Sequence, residues 1–144
     1  MTDFVYRSEG GRILIISLEK GELVLETIAE VLKKHRIKSA VMVSGIGTLR
    51  KAVYHMITTT EDQATNRFIT LEGPMELAST QGLVLEGEPH FHIVFSDQER
   101  VYSGHLEPGC EVQYLAEFML IEFQGDGLRR EKSAGGFSRI IEAE

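Results

Sequence analysis

Helical periodicity occurs once in this sequence, and that scarcity limits the possible folds more than any other feature. Between Glu22 and about Lys34 the apolar residues Leu25, Ile28, Ala29 and Leu32 recur at three- and four-residue steps, with Glu26, Glu30, Lys33 and Lys34 on the opposite side. Such a helix has one apolar face to bury, and a sheet must lie beneath it. The rest of the chain reads as strands: Phe4 to Ser8, Arg12 to Leu18, Ser39 to Gly45, Leu49 to Ile57, Phe68 to Leu71, Glu76 to Leu85, His90 to Ser96, Val101 to Leu106 and Val112 to Phe123. Clusters such as Glu9-Gly10-Gly11, Gly45-Ile46-Gly47, Glu72-Gly73-Pro74 and Gly87-Glu88-Pro89 separate them as turns. The pattern predicts an α+β fold, mainly antiparallel β-sheet with one principal packed α-helix, in a single domain over residues 1–144. The polar, glycine-rich segment 125–136 predicts a mobile loop before a last strand at Phe137 to Ile141.

A chain of 144 residues can bury the core of one domain. Its charge narrows the range of partners. With 15 Lys plus Arg against 22 Asp plus Glu the net charge is −7, and the averaged field repels nucleic acid and anionic lipid surfaces. The densest basic run, Lys33-Lys34-His35-Arg36-Ile37-Lys38, falls at the helix end, where cations meet the negative end of the helix dipole. The single cysteine, Cys110, excludes an intrachain disulfide and reads as a small buried hydrophobe in a reducing compartment. No positively charged leader precedes an apolar run and no segment reaches the length of a membrane span, so a cytoplasmic location is expected. Gly45-Ile46-Gly47 lacks the third glycine of a dinucleotide-binding loop and precedes a strand, so it reads as a tight turn.

The chemistry concentrates in GEPHFHIVFSDQERVYSGHL, residues 87–106, which holds His90, His92 and His105. Side chains alternate along a strand, so His90 and His92 share one face while Phe91 and Ile93 point to the other. If the turn between Ser96 and Val101 closes symmetrically, paired residue numbers sum to 197; His92 then lies opposite His105, and Glu107 opposite His90. Directly opposed residues place their Cβ atoms roughly 4.5–5.5 Å apart on one face. Three neutral imidazoles match a familiar zinc ligand set and leave one coordination position open. That position suits water, an anion, a small substrate, a group from another subunit, or a fourth protein ligand such as Glu107 or His55. A bulge would shift the register by one and turn His105 to the wrong face.

Gly87-Glu88-Pro89-His90-Phe91-His92, then Ser103-Gly104-His105-Leu106 and Pro108-Gly109-Cys110, resemble the signature of the PPC, or plants and prokaryotes conserved, domain. Ser44-Gly45-Ile46-Gly47-Thr48 and Gly73-Pro74-Met75-Glu76-Leu77-Ala78-Ser79 resemble two further blocks of that family, in the same order. The resemblance implies an antiparallel sheet with a packed helix, a homotrimer, and in some bacterial members a zinc held by histidines matching His90, His92 and His105. In plants the domain is joined to AT-hook segments that contact DNA; no Arg-Gly-Arg-Pro hook occurs here. The leading expectation is a trimeric binding module that receives a small ligand at a metal or pocket near the histidines, lined also by Gly45 and Gly47. A second reading is a metal-dependent hydrolase or lyase with Glu107 or Glu76 as base, and a third is a DNA-binding or transcription-associated protein.

Overall fold

Helix α1 (Val24–Lys34) buries Val24, Thr27, Ile28, Val31 and Leu32. We describe the chain from a computed structural model covering residues 1–8, 10–125 and 127–142, with the backbone alone for 2–8. The buried face is turned from the one expected: Leu25 and Ala29 lie at its margin and Val24 and Val31 within it. The helix also starts after Glu22, because Val24 N–H donates to the Cys110 carbonyl at 2.9 Å and Leu23 bridges to Glu111, which ties its entry to the sheet. At its other end stand Lys33 and Lys34, in the expected place.

Beneath the helix lies a seven-stranded antiparallel sheet of β1 (Thr2–Ser8), β2 (Gly11–Glu19), β3 (Ala40–Ile57), β4 (Asn66–Leu85), β5 (Glu88–Ser96), β6 (Val101–Leu106) and β7 (Glu111–Glu122). Its order is β1-β2-β7-β3-β4-β5-β6, and it curls until β6 also pairs with β3. Leu14, Ile16, Leu18, Phe91, Phe95 and Phe118 fill the core, each 0 or 1% exposed. Strands dominate, so α+β holds only in the loose sense of one short helix on a sheet. No helix among the described residues is long and apolar enough to cross a membrane.

Two expected turns are absent, because β3 and β4 each run unbroken where two strands were predicted. The Gly45-Ile46-Gly47 segment is strand: Gly45 pairs with Phe118 and Gly47 with both Leu77 and Ala116. Glycine is required there by proximity, since a Cβ on Gly45 would lie 2.6 Å from Thr80 Cβ and one on Gly47 2.5 Å from Ala116 Cα. Gly73-Pro74 forms a bulge. Leu49 pairs with Met75 and Lys51 with Glu72, so two residues of β4 face Arg50 alone, a site where proline's missing N–H is tolerated.

The predicted loop at 125–136 is corrected in the same way. Leu128–Lys132 forms β8, which pairs with β9 (Ser138–Glu142) in a separate two-stranded sheet. Its polar sequence lacks the apolar alternation of a half-buried strand. Glu9 of the first expected turn and Asp126 of this loop lie outside the described residues.

Candidate metal centre

The β5–β6 turn closes on Asp97. Asp97 Oδ1 accepts from Glu99 N–H at 2.7 Å and Arg100 N–H at 2.8 Å, Oδ2 accepts from the Tyr102 hydroxyl at 2.8 Å, and these bonds hold its carboxyl below the usual carboxylate range. The ladder then runs Ser96↔Val101, Val94↔Ser103 and His92↔His105, the register whose numbers sum to 197. Phe91 and Ile93 are each 1% exposed on the inner face, while His90 and His92 are exposed on the outer.

After His105, β6 leaves β5 and joins β3, with His55↔His105 and Tyr54↔Leu106. Gly104 permits the approach, because a Cβ there would lie 2.6 Å from the His55 carbonyl oxygen and 2.7 Å from the Tyr54 ring. The expected pairing of Glu107 with His90 therefore does not form. Glu107 N–H donates instead to the Val53 carbonyl at 3.0 Å, and its carboxylate turns to the histidines.

Four imidazoles and one carboxylate gather on this outer face. His55 stacks on His105 with centroids 4.4 Å apart; His90 lies 4.8 Å and His92 5.5 Å from His105, and His90 and His92 are 5.4 Å from each other. Glu107 Oε1 is 2.6 Å from His55 Nδ1 and 3.1 Å from His105 Nδ1. Only the first contact is a well-directed hydrogen bond, and the buried His105 Nδ1 has no hydrogen-bond partner. Partial desolvation among the clustered rings, then the neighbouring His105, Arg130 and His92, push the His90 pKa below its ordinary value. Burial and His55 lower that of His105, with Glu107 opposing. Both groups are thereby biased toward neutral imidazole, the metal-binding form. The rings open into a concavity of about 600 Å3 rimmed by Met56, Ile57 and Val94.

Two overlapping donor sets share His105. One is His90, His92 and His105. The other, the one set among the described residues whose donor atoms all lie within 4.8 Å of one another, is His55, His105 and Glu107. Donors around a tetrahedral zinc at roughly 2.0–2.1 Å stand about 3.3 Å apart. The His55–Glu107 contact of 2.6 Å is shorter than that and fits a hydrogen bond. Glu107 thus suits orienting the imidazoles, with Nδ1–H of His55 donating and Nε2 left as the lone-pair nitrogen.

The other nominated residues lie apart. Gly45 and Gly47 do not line the histidine concavity, and Glu76 faces a separate hollow with Ser96, Asp97 and Gln98. Cys110 is fully buried, its thiol donating to the Val53 carbonyl at 3.2 Å, and burial pushes its pKa to about 11. Arg130 was missed in the sequence: β8 carries it to the Leu83 and Glu88 carbonyls next to His90, and a polar hairpin of 128–142 has no apolar periodicity to reveal it.

A curled antiparallel sheet bearing a histidine cluster at the β3–β6 closure defines a class of small β-domain with an open, imidazole-lined face. The chain belongs to the Plants and Prokaryotes Conserved (PCC) domain family, whose model matches residues 6–124. A plant- and prokaryote-conserved protein from Pyrococcus horikoshii is 28% identical with a TM-score of 0.77, over 99% of this chain and 96% of that one. A metal-containing protein from Archaeoglobus fulgidus is 25% identical with a TM-score of 0.79, over 96% of this chain and 99% of that one. A candidate DNA-binding protein from Bacteroides thetaiotaomicron, 15% identical with a TM-score of 0.80 over 97% of each chain, shares the fold. The bifunctional protein GlmU of Synechococcus sp. (strain JA-3-3Ab) is 24% identical over 112 residues, 77% of this chain but 17% of that protein's length.

Proposed function

We propose that the protein is a homotrimeric, zinc-binding module of the PCC family that receives a small ligand at its histidine site. The carrying observation is the gathering of the His90, His92 and His105 rings on one face, with centroids within 5.5 Å of one another. In this reading the three imidazoles hold the metal, and Glu107 orients His55, whose ring stacks on His105. The residues fit the ion: clustered imidazoles held near the neutral form offer the nitrogen lone pairs that zinc takes. Zinc on three imidazoles supplies a Lewis acid with one position open to a ligand. The metal-containing archaeal relative supports this reading.

The trimer implied by the family resemblance is supported by exposed apolar side chains beside the site, Met56 at 47%, Ile57 at 67% and Phe68 at 65%, a patch suited to burial against a partner subunit. Binding is favoured over hydrolysis because Glu107 is engaged by His55 and Glu76 is out of reach. Direct DNA contact is disfavoured by the net charge of −7. Metal analysis of untagged protein beside His92→Ala tests the proposal: about one zinc per chain in the first and none in the second is expected, and a metal-free wild type ends it.

A further inference from the structure

Arg130 lies beyond residues 6–124, the stretch matched by the family, yet it is hydrogen-bonded to the two strands next to His90. Its Nη2 donates to the Leu83 carbonyl at 3.1 Å and its Nη1 to the Glu88 carbonyl at 3.2 Å. Leu83 is the register partner of His90, and Glu88 precedes His90 by two residues on β5, so the guanidinium is pinned beside His90. Two of its five N–H donors serve these carbonyls, which leaves three.

The charge itself has no close answer. Among the described residues no carboxylate lies within 4.0 Å of Arg130, and the Glu88 carboxylate acts on it from farther away. The other well-tied arginine is treated differently: Arg12 receives both oxygens of Glu122, at 2.6 and 2.7 Å. A partly buried guanidinium without a close counter-ion, held on the strand that carries His90 and on its neighbour, leaves a positive field. A divalent ion beside it increases that field, and an anion relieves both. Arginine is suited to this because its planar fork grips two oxygens of one carboxylate or oxyanion.

We propose that Arg130 and a metal held by His90, His92 and His105 together form a subsite for a small oxyanion, so that the ligand of this site carries a carboxylate or a tetrahedral oxyanion group. The proposal rests on the metal reading above and adds the sign and chemistry of the ligand. It also gives the hairpin of β8 and β9 a role as the element that delivers the cation.

The test uses the full chain loaded with cobalt(II), whose visible absorption reports changes in coordination, titrated with acetate and with sulfate. Wild type is compared with Arg130→Gln, which retains a donor for the Leu83 carbonyl, and with Arg129→Gln, which removes the same charge from an exposed position on the same strand. Cobalt stoichiometry should be equal in all three. Anion affinity should fall about tenfold or more in Arg130→Gln and stay within about twofold in Arg129→Gln, since a bond to a charged partner is lost only in the first. A stronger response to acetate assigns a carboxylate ligand, and a stronger response to sulfate a tetrahedral one.

Equal losses in both variants, or no loss in Arg130→Gln while cobalt stays bound, overturn the proposal and leave the metal reading standing. A wild type that holds no cobalt overturns both. Should Arg130→Gln fail to fold, Arg130→Lys takes its place: it keeps the charge and loses the fork, so a several-fold loss supports the proposal and unchanged affinity overturns it.

Discussion

Glu107→Gln separates orientation from coordination at the histidine site. The substitution keeps the shape of the side chain and removes the charge that lies 2.6 Å from His55 Nδ1 and 3.1 Å from His105 Nδ1. If Glu107 orients the rings, the three ligands survive and zinc stoichiometry is unchanged. Loss of such a carboxylate partner typically weakens metal affinity about 10- to 100-fold, or about 1.4–2.7 kcal/mol. The Glu107 side chain is 21% exposed, so solvent screens part of the effect and the lower half of that range is expected. Competition with a chromophoric chelator at neutral pH gives stoichiometry and affinity together. Two results refute the reasoning: loss of the zinc itself, which makes Glu107 a ligand, or an affinity equal to that of wild type, which leaves it no part in the site.

Gly104→Ala places a methyl group 2.6 Å from the His55 carbonyl oxygen and should cost about 1–3 kcal/mol in urea unfolding; an unchanged midpoint contradicts the close β3–β6 approach. Cys110, with its thiol pushed up to about 11, should react with thiol reagents at mildly alkaline pH only as the protein unfolds, and rapid stoichiometric labelling of the native state contradicts its burial. Metal-free protein should lose stability on acidification. Because the folded values of His90 and His105 lie below 6.5, the unfolded chain takes up more protons below that pH, so this contribution is full above it and falls as pH drops toward the lowered values. Thermal unfolding of chelator-treated wild type and of a His90→Gln, His105→Gln double variant, between about pH 5 and pH 8, checks the sign; a wild type that gains stability in acid relative to the variant contradicts it.

Local patterns made some of this molecule readable in advance. The turn at Asp97 and the alternation of His90, Phe91 and His92 were enough to set the β5–β6 register. Cys110 and the basic helix end also read correctly, because composition and dipole act over a few residues. What failed was nonlocal. Gly45-Ile46-Gly47 and Gly73-Pro74 look like turns, and only the proximity of Thr80, Ala116 and Arg50 explains them as tight packing and a bulge. His55 was placed only as a possible fourth ligand because its partner His105 is 50 residues away, reached through the curl of the sheet. Arg130 was hidden for a related reason: its contacts are backbone carbonyls of β4 and β5, which leave no trace in side-chain periodicity.

The central claim is that one metal is held by His90, His92 and His105, with Glu107 behind them. Anomalous diffraction on both sides of the zinc edge, from crystals of protein given one equivalent of zinc, tests it most directly. The account predicts one peak per chain at about 2.0–2.1 Å from a nitrogen of each of these three histidines, with Glu107 bonded to an imidazole and not to the ion. A peak coordinated by Glu107 and His55 in place of His90 and His92, or no peak on this face, would contradict it.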